Sequence, residues 1–318
     1  MQAELVMKTP NSQHGMALLI LVFFLALVAT AYVVKTLDAA SIENERAKKT
    51  AVALTEAKSA LLGWSVLQNN PGQLPCPEDI AAIGTASEGQ AQVACTSPSP
   101  VIGRLPWRTL GLGDIRDGND DKLWYVISTG FRTSPINLNS LAQLTLNGTP
   151  NSAVAIIFSV GIPLAGQFRP ASTAAPVAVT NYLEGSNSDG DNTFVSNGAP
   201  ATLNDKLMVI KQSELFSLVT NRILREIKGD STQGLVNFYL TNAYYPFADS
   251  DADGNADNTV LSGAPSYKGG PTSLFFNPSI KTTLANNGWF PLISYDVTGT
   301  QQAVTLTSTL NSKTLTIP

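Results

Sequence analysis

The chain has 318 residues, of which 14% are charged, and a net charge of −4. That balance leaves no basic footprint for a nucleic acid. Its single histidine, His14, sits at the extreme N-terminus, so the rest of the chain can build neither a Ser-His-Asp triad nor a His-ligated zinc or haem site, and two cysteines are too few for a Cys₄ site.

From Met16 to Val34 nineteen residues pass without a charged side chain. A helix of that length, at about 1.5 Å per residue, reaches across a bilayer core. Helical periodicity continues through Lys35–Gln68, where Ala47, Ala51, Leu54, Ala57, Leu61 and Trp64 recur at steps of three and four. Pro71-Gly72 ends it. The pattern predicts one helix over 16–68, apolar all round in its first part and amphipathic in its second. No sustained heptad supports a coiled-coil stalk instead. Two plainer readings of the apolar run stay open. Ala29-Thr30-Ala31 fits the cleavage site of an ordinary secretory signal, with a mature chain from Tyr32. The run also fits an uncut single-pass anchor, although Lys35, Arg46, Lys48 and Lys49 taken alone would then place the large domain in the cytoplasm.

Gly, Pro, Ser, Thr and Asn dominate after residue 68, which reads as a loop-rich and strand-rich exported domain. Leu74–Glu78 (LPCPE), a polar loop to Cys95, Gly103–Gly111 (GRLPWRTLG) and the acidic turn Asp114–Asp121 lead into a strand-like run, Leu123–Ser128 (LWYVIS). On an exported chain, Cys76 and Cys95 are expected to form one disulfide, worth about 3 kcal/mol in the chain-entropy model. Ala153–Val160 and Asp205–Lys211 read as strands. Ser213–Lys228 returns to helical spacing, with Phe216, Val219, Ile223 and Ile227 on one face.

A second copy of the pattern begins near Gly234. Leu235, Phe238, Pro246 and Asp249 fall where Leu61, Trp64, Pro75 and Glu78 fall in the first, and Ile293–Val297 matches Leu123–Ile127. Val304-x-Leu306 and Leu315-x-Ile317 suggest terminal strands.

An uncharged run directly behind Gly15-Met16, continuing into an unbroken helix, resembles the class III signal of type IV pilins and type II secretion pseudopilins. LPCPE, GRLPW, LWYVIS, Leu164–Arg169 (LAGQFR), Asn181–Gly185 (NYLEG) and Asn204-Asp205-Lys206 resemble a group of large type IV pilin-like proteins of Gram-negative bacteria, so the likeness covers nearly the whole chain. It implies an α+β pilin-like fold: a long N-terminal helix on an antiparallel sheet, with a second helix-plus-sheet unit. It implies a leader at 1–15, a helix at 16–68 with a transmembrane segment at 16–34, a first head unit at 69–211 and a second at 212–318. A prepilin peptidase would cut between Gly15 and Met16, leaving methylated Met16 as the mature N-terminus. The chain would sit in the inner membrane by a single span, with its C-terminal domain periplasmic or extracellular, among other pilin or pseudopilin subunits. Filament-forming members carry glutamate at mature position five. Here that position is Ile20, which resembles the tip-located minor pseudopilin.

Asp249-Ser-Asp251-Ala-Asp253-Gly254-Asn255-Ala-Asp257 carries oxygen ligands at alternate positions around a glycine, the chemistry of a Ca²⁺ loop. The twelfth position is Val260 rather than glutamate, so the loop is not a complete EF-hand, and an acidic Asx turn is the alternative. Asp114–Asp121 and Ser188–Asn192 read as ordinary turns. No catalytic residues are expected, because no spacing singles out a pair of carboxylates. The expected role is a minor pilin or pseudopilin at or near a filament tip. An exported calcium-binding adhesin or surface-binding module is the alternative.

Overall fold

In the computed structural model the described residues are 14–95, 100–133, 135–169, 178–199, 201–251, 256–263 and 278–318, with backbone alone at 14, 15, 17, 31, 33–39 and 278–281. The first element, α1, runs unbroken for 54 residues, His14–Leu67. The chain divides within it into two bodies, one ending at Lys49 and the other spanning Thr50–Pro318.

In the first body Met16 and Leu18–Leu25 turn apolar side chains outward, as do Leu27 and Val28. Among the described residues no helix is long and apolar enough to cross a membrane. The continuous stretch of described side chains in the apolar run is Leu18–Thr30, short of the roughly 20 residues a span requires. The expected segment 16–34 also includes Ala17, Ala31, Val33 and Val34, whose side chains lie outside that description.

The second body begins with the amphipathic end of α1. Leu54, Ala57 and Leu61 are buried there, one turn apart as the 3.6 period requires. They pack on a four-stranded antiparallel sheet ordered β1 (Val101–Arg104), β2 (Trp124–Ile127), β5 (Ala155–Ser159) and β7 (Lys206–Ile210). Every residue of β2 and β5 is buried, so this sheet is covered on both faces. One face meets α1 and α2 (Gln212–Lys228) through Tyr125, Ile127, Ile157 and Phe216. The other carries Trp124, Val126, Ile156 and Phe158 into a second cluster with Tyr182 and Phe194. That cluster is closed by a small sheet of β4 (Thr149–Ala153), β3 (Leu144–Leu146) and β6 (Thr193–Phe194), in which β3 and β6 run parallel. The predicted strand Ala153–Val160 is therefore divided between two sheets. It breaks at Val154, whose amide donates to the Ile210 carbonyl while its own carbonyl accepts from Ser128.

α2 closely follows the predicted 213–228 and ends at Gly229, where φ is 65°. A Cβ there would lie 2.0 Å from the Gln233 carbonyl oxygen, so only glycine fits the elbow into α3 (Gly234–Asn242). α1 has no basic residue in its own last turn. Arg222 of α2 supplies that charge instead, donating to the carbonyls of Val66 and of Gln68, the latter at 2.7 Å. A cation at this end complements the helix dipole and satisfies two terminal carbonyls.

The remaining strands form a second antiparallel sheet ordered β8 (Ser262–Gly263), β9 (Ile293–Val297), β10 (Val304–Ser308) and β11 (Thr314–Ile317), with α4 (Pro278–Asn286) between β8 and β9 in the chain. Burial alternates along β9 and β10. Tyr295, Val297, Val304 and Leu306 face the core, and Ser294, Asp296, Thr305 and Thr307 face away. Strand for strand, this sheet repeats β1-β2-β5-β7. Gly103 pairs with Tyr125 in the first and Gly263 with Tyr295 in the second. The Tyr125 hydroxyl donates to the Pro75 carbonyl at 3.3 Å, and the Tyr295 hydroxyl to the Pro246 carbonyl at 2.6 Å. One continuous hydrophobic cluster nevertheless runs through Leu61, Tyr125, Phe216, Trp289 and Tyr295, so the two sheets share a core.

Candidate functional site

Three of the short motifs meet in one buried polar network on the outer side of the first sheet. Gln167 donates to Glu184 Oε1 at 2.9 Å, and the Asn204 amide donates to Glu184 Oε2 at 3.1 Å. Beside it the Asn187 side chain and the Glu184 amide donate to Asp205 Oδ2, at 2.9 and 3.3 Å. Glu184, Asn187 and Asp205 are all buried. Burial pushes the Asp205 carboxyl up to about 7, with the neighbouring Glu184 charge adding to it, while the Asn187 bond opposes the rise. A carboxyl so placed keeps its proton up to about neutral pH.

Arg169 clamps the same loops. Its guanidinium donates to the carbonyls of Val160 and Gly161 and pairs with Asp121 at 2.6 Å, while lying over the Tyr182 ring. Asp121 belongs to the acidic turn 114–121. There Asp117, fully buried, accepts from the amides of Asn119 and Asp121 and from the Ser159 hydroxyl. These oxygens are engaged by the protein's own donors, so the segment is an ordinary turn, as its sequence suggested.

The residues singled out for chemistry lie apart from one another. Gly15 and Met16 fall in the first turns of α1, with Met16 exposed. Cys76 and Cys95 form a disulfide with their Cα atoms 5.8 Å apart. The bridge ties the residues after Pro75 to the returning Ala91–Cys95 segment, beside the buried Glu78, whose Oε1 accepts from the Gly89 amide at 2.6 Å.

The acidic loop occupies the corresponding place in the second sheet unit. Asp249 is buried and Asp251 exposed, while Asp253 and Asn255 lie outside the described residues. Asp257 accepts from the Ser250 amide at 2.9 Å, and hydrogen bonding from the Ser250 side chain, then from that amide, holds its carboxyl below the usual range. That is turn chemistry. Among the described residues no group of three or more His, Cys, Asp or Glu side chains is arranged to hold a metal ion.

Sequence reasoning passed over Glu184 with Asp205. The carboxyl pair joins residues twenty-one positions apart, so no local spacing announces it. No protein-family model, curated protein or solved structure matches the chain. What the fold itself defines is a mixed α+β protein of helices and mainly antiparallel sheets.

Proposed function

We propose that this chain is a minor pilin or pseudopilin, a structural subunit at or near the tip of a type IV pilus or a type II secretion-like filament. The observation that carries the reading is α1. Over the described residues it is one continuous helix, His14–Leu67, that runs through the Gly15-Met16 junction, with an outward-facing apolar first part and a last part whose apolar stripe is buried on an antiparallel sheet. Ile20 in place of a glutamate supports a tip position, because a terminal subunit has no neighbour above it whose amine needs a counter-charge. In this reading prepilin peptidase cuts after Gly15, the run 16–34 anchors the chain in the inner membrane, and the Thr50–Pro318 body lies on the periplasmic side among other pilin subunits. The Cys76–Cys95 disulfide fits that compartment. Mass spectrometry of the N-terminus tests it. A mature chain beginning at Met16, and an uncleaved Gly15→Val precursor, are the expected results. A chain beginning at Tyr32 establishes the secretory-signal reading, and an uncut chain a plain anchor.

Calcium belongs to the proposal only through the loop 249–257. Bound there, the ion would stabilise the folded chain by mass action. The full chain should then melt higher in calcium than in chelator, and Asp251→Ala should remove the difference. Identical melting curves assign the loop to an acidic turn.

A further inference from the structure

The second sheet ends on β11, and that edge is built unlike the others. β1 is covered at its edge, where the Glu78 amide donates to the Arg104 carbonyl at 2.9 Å. β4 carries Pro150, β7 begins with the exposed Lys206, and β6 and β8 have two residues each. Covering segments, proline, charge and short length are the usual devices that keep a sheet edge from pairing with another chain. β11 has four residues, Thr-Leu-Thr-Ile, with no charge, no proline and an unshifted register against β10.

The direction of its backbone groups follows from the ladder. The Ser308 amide donates to the Lys313 carbonyl at 2.8 Å, a pair in line with Thr307 and Thr314. Hydrogen-bonded pairs alternate along antiparallel strands, so Leu315 and Ile317 turn their amides and carbonyls to β10. Thr314 and Thr316 turn theirs outward. Both threonines are exposed, and among the described residues no hydrogen bond engages those groups. The side chains alternate too. Leu315 and Ile317 lie opposite Leu306 and Val304 on the core face, and Thr314 and Thr316 opposite Thr307 and Thr305 on the other.

We propose that β11 pairs with β11 of a second copy of this chain, antiparallel about a two-fold axis, joining the two sheets edge to edge. The strand matches itself in the register centred on Leu315. With Leu315 opposite the partner's Leu315, each Thr314 meets the partner's Thr316, and every outward N–H finds an outward carbonyl. Directly opposite residues of paired strands share a face, so leucine meets leucine on the core side and threonine meets threonine on the other. A slip by one residue sets leucine against threonine on mismatched faces. An edge that complements itself in its hydrogen-bonding groups and on both faces selects its own copy, through an isologous contact. Four residues a side is small against the roughly 20–30 of a standard interface, so the association is weak and concentration-dependent. The assignment stands on the second sheet and is independent of the filament reading.

The test uses the full chain in detergent micelles. Sedimentation velocity across a concentration series should show a monomer–dimer equilibrium. Thr316→Pro removes an outward N–H and leaves the ladder to β10 intact, since an edge strand tolerates proline where the N–H faces solvent. It should weaken the dimer about 10–100-fold, the loss of two hydrogen bonds. Association through the apolar part of α1 is common to both proteins and would not change. Cysteine variants read the register. Cys76 and Cys95 are bridged, and no other cysteine is present. Oxidation of Leu315→Cys should give a covalent dimer, whereas Thr316→Cys, which lies opposite Thr314 and not its own copy, should give little. This pair answers the question even where the proline variant folds poorly. A Thr316→Pro protein that dimerises as tightly as wild type, or equal cross-linking of the two cysteine variants, overturns the proposal. So does a chain that stays monomeric and yields no Leu315→Cys cross-link.

Discussion

Replacing Asp205 by Asn tests the buried carboxyl pair through its effect on stability against pH. In the folded chain Asp205 titrates at about 7, mainly because it is buried and further because Glu184 lies beside it, whereas an unfolded aspartate titrates near 3.9. A folded pKa raised above the unfolded value gives a contribution fully present below about pH 4 and lost as pH rises through about 7. Three units correspond to about 4 kcal/mol at most, or roughly a thousandfold in the unfolding equilibrium. Glu78 and Asp121 are also pushed up by burial and act in the same direction, while Asp257 is held down and acts in the other. The quantity to follow is therefore the difference between wild type and Asp205→Asn. Asparagine imitates the protonated acid, with an oxygen to accept from Asn187 and an amide to donate towards Glu184. Denaturant unfolding of the full chain in mild detergent, followed by tryptophan fluorescence from pH 4 to 8, gives that difference. The two proteins should be close in stability near pH 4, and the variant should be more stable by about 2–4 kcal/mol at pH 8. Parallel curves across this range, or a variant less stable at pH 8, refute the raised titration of the buried Asp205 carboxyl.

Three further outcomes follow from the same structure. Cys76 and Cys95 should resist alkylation until reduced, and replacing both by serine should cost about 3 kcal/mol in denaturant unfolding; free thiols in material prepared without reductant would contradict the bridge. Arg222→Ala should cost about 1–3 kcal/mol by releasing the carbonyls of Val66 and Gln68, and protection of the last turn of α1 against hydrogen exchange should fall with it. Tyr295→Phe and Tyr125→Phe should each cost about 1 kcal/mol, with Tyr295 the larger because its bond to Pro246 is shorter; thermal melting at fixed pH reads both, and a neutral Tyr295→Phe counts against the bond as a lock on that turn.

Much of the secondary structure was legible because local pattern decides it. The 3.6-residue spacing of Phe216, Val219, Ile223 and Ile227 marks α2, and β9 is Ile293–Val297, the segment matched to Leu123–Ile127. The small sheet of β3, β4 and β6 was not legible. Its strands have two to five residues, and β3 is held partly by parallel pairing with a strand nearly fifty positions away. The carboxyl pair was hidden for a similar reason. NYLEG and Asn204-Asp205 stood out as separate strings, and only the packing of Tyr182 and Leu183 under the sheet brings Glu184 to Asp205. Where Pro71-Gly72 gave a stop for α1, the helix ends at Leu67, and the charge that satisfies its end comes from Arg222, more than 150 residues later.

The two sheet units show which part of the pattern the geometry requires. Their hydrophobic coverage differs: the first sheet is buried on both faces, whereas in the second Ser294, Asp296, Thr305 and Thr307 are only half-buried on the face away from the core. Their loops differ as well, one closed by a disulfide and the other held in part by the Ser250–Asp257 bond. What recurs is a glycine opposite a tyrosine, and a tyrosine hydroxyl on the carbonyl of the proline that follows the helix. Gly103 explains the pairing, since a Cβ on it would come within 2.9 Å of Pro77. The chain leaving the helix passes so close to the edge strand that a side chain there would push it away. With the edge position empty, the backbone after the proline can approach the sheet, and its carbonyl, removed from water, needs a donor. Tyrosine on the adjacent strand is long enough to provide one while its ring fills the core. The same constraint acts at Gly263, where an added Cβ would meet Ala248 and Asp249 at 3.2–3.3 Å. The elements that recur are thus those set by the crossing of helix exit and sheet edge. The elements that vary are those facing solvent or an inserted segment, where the crossing imposes nothing.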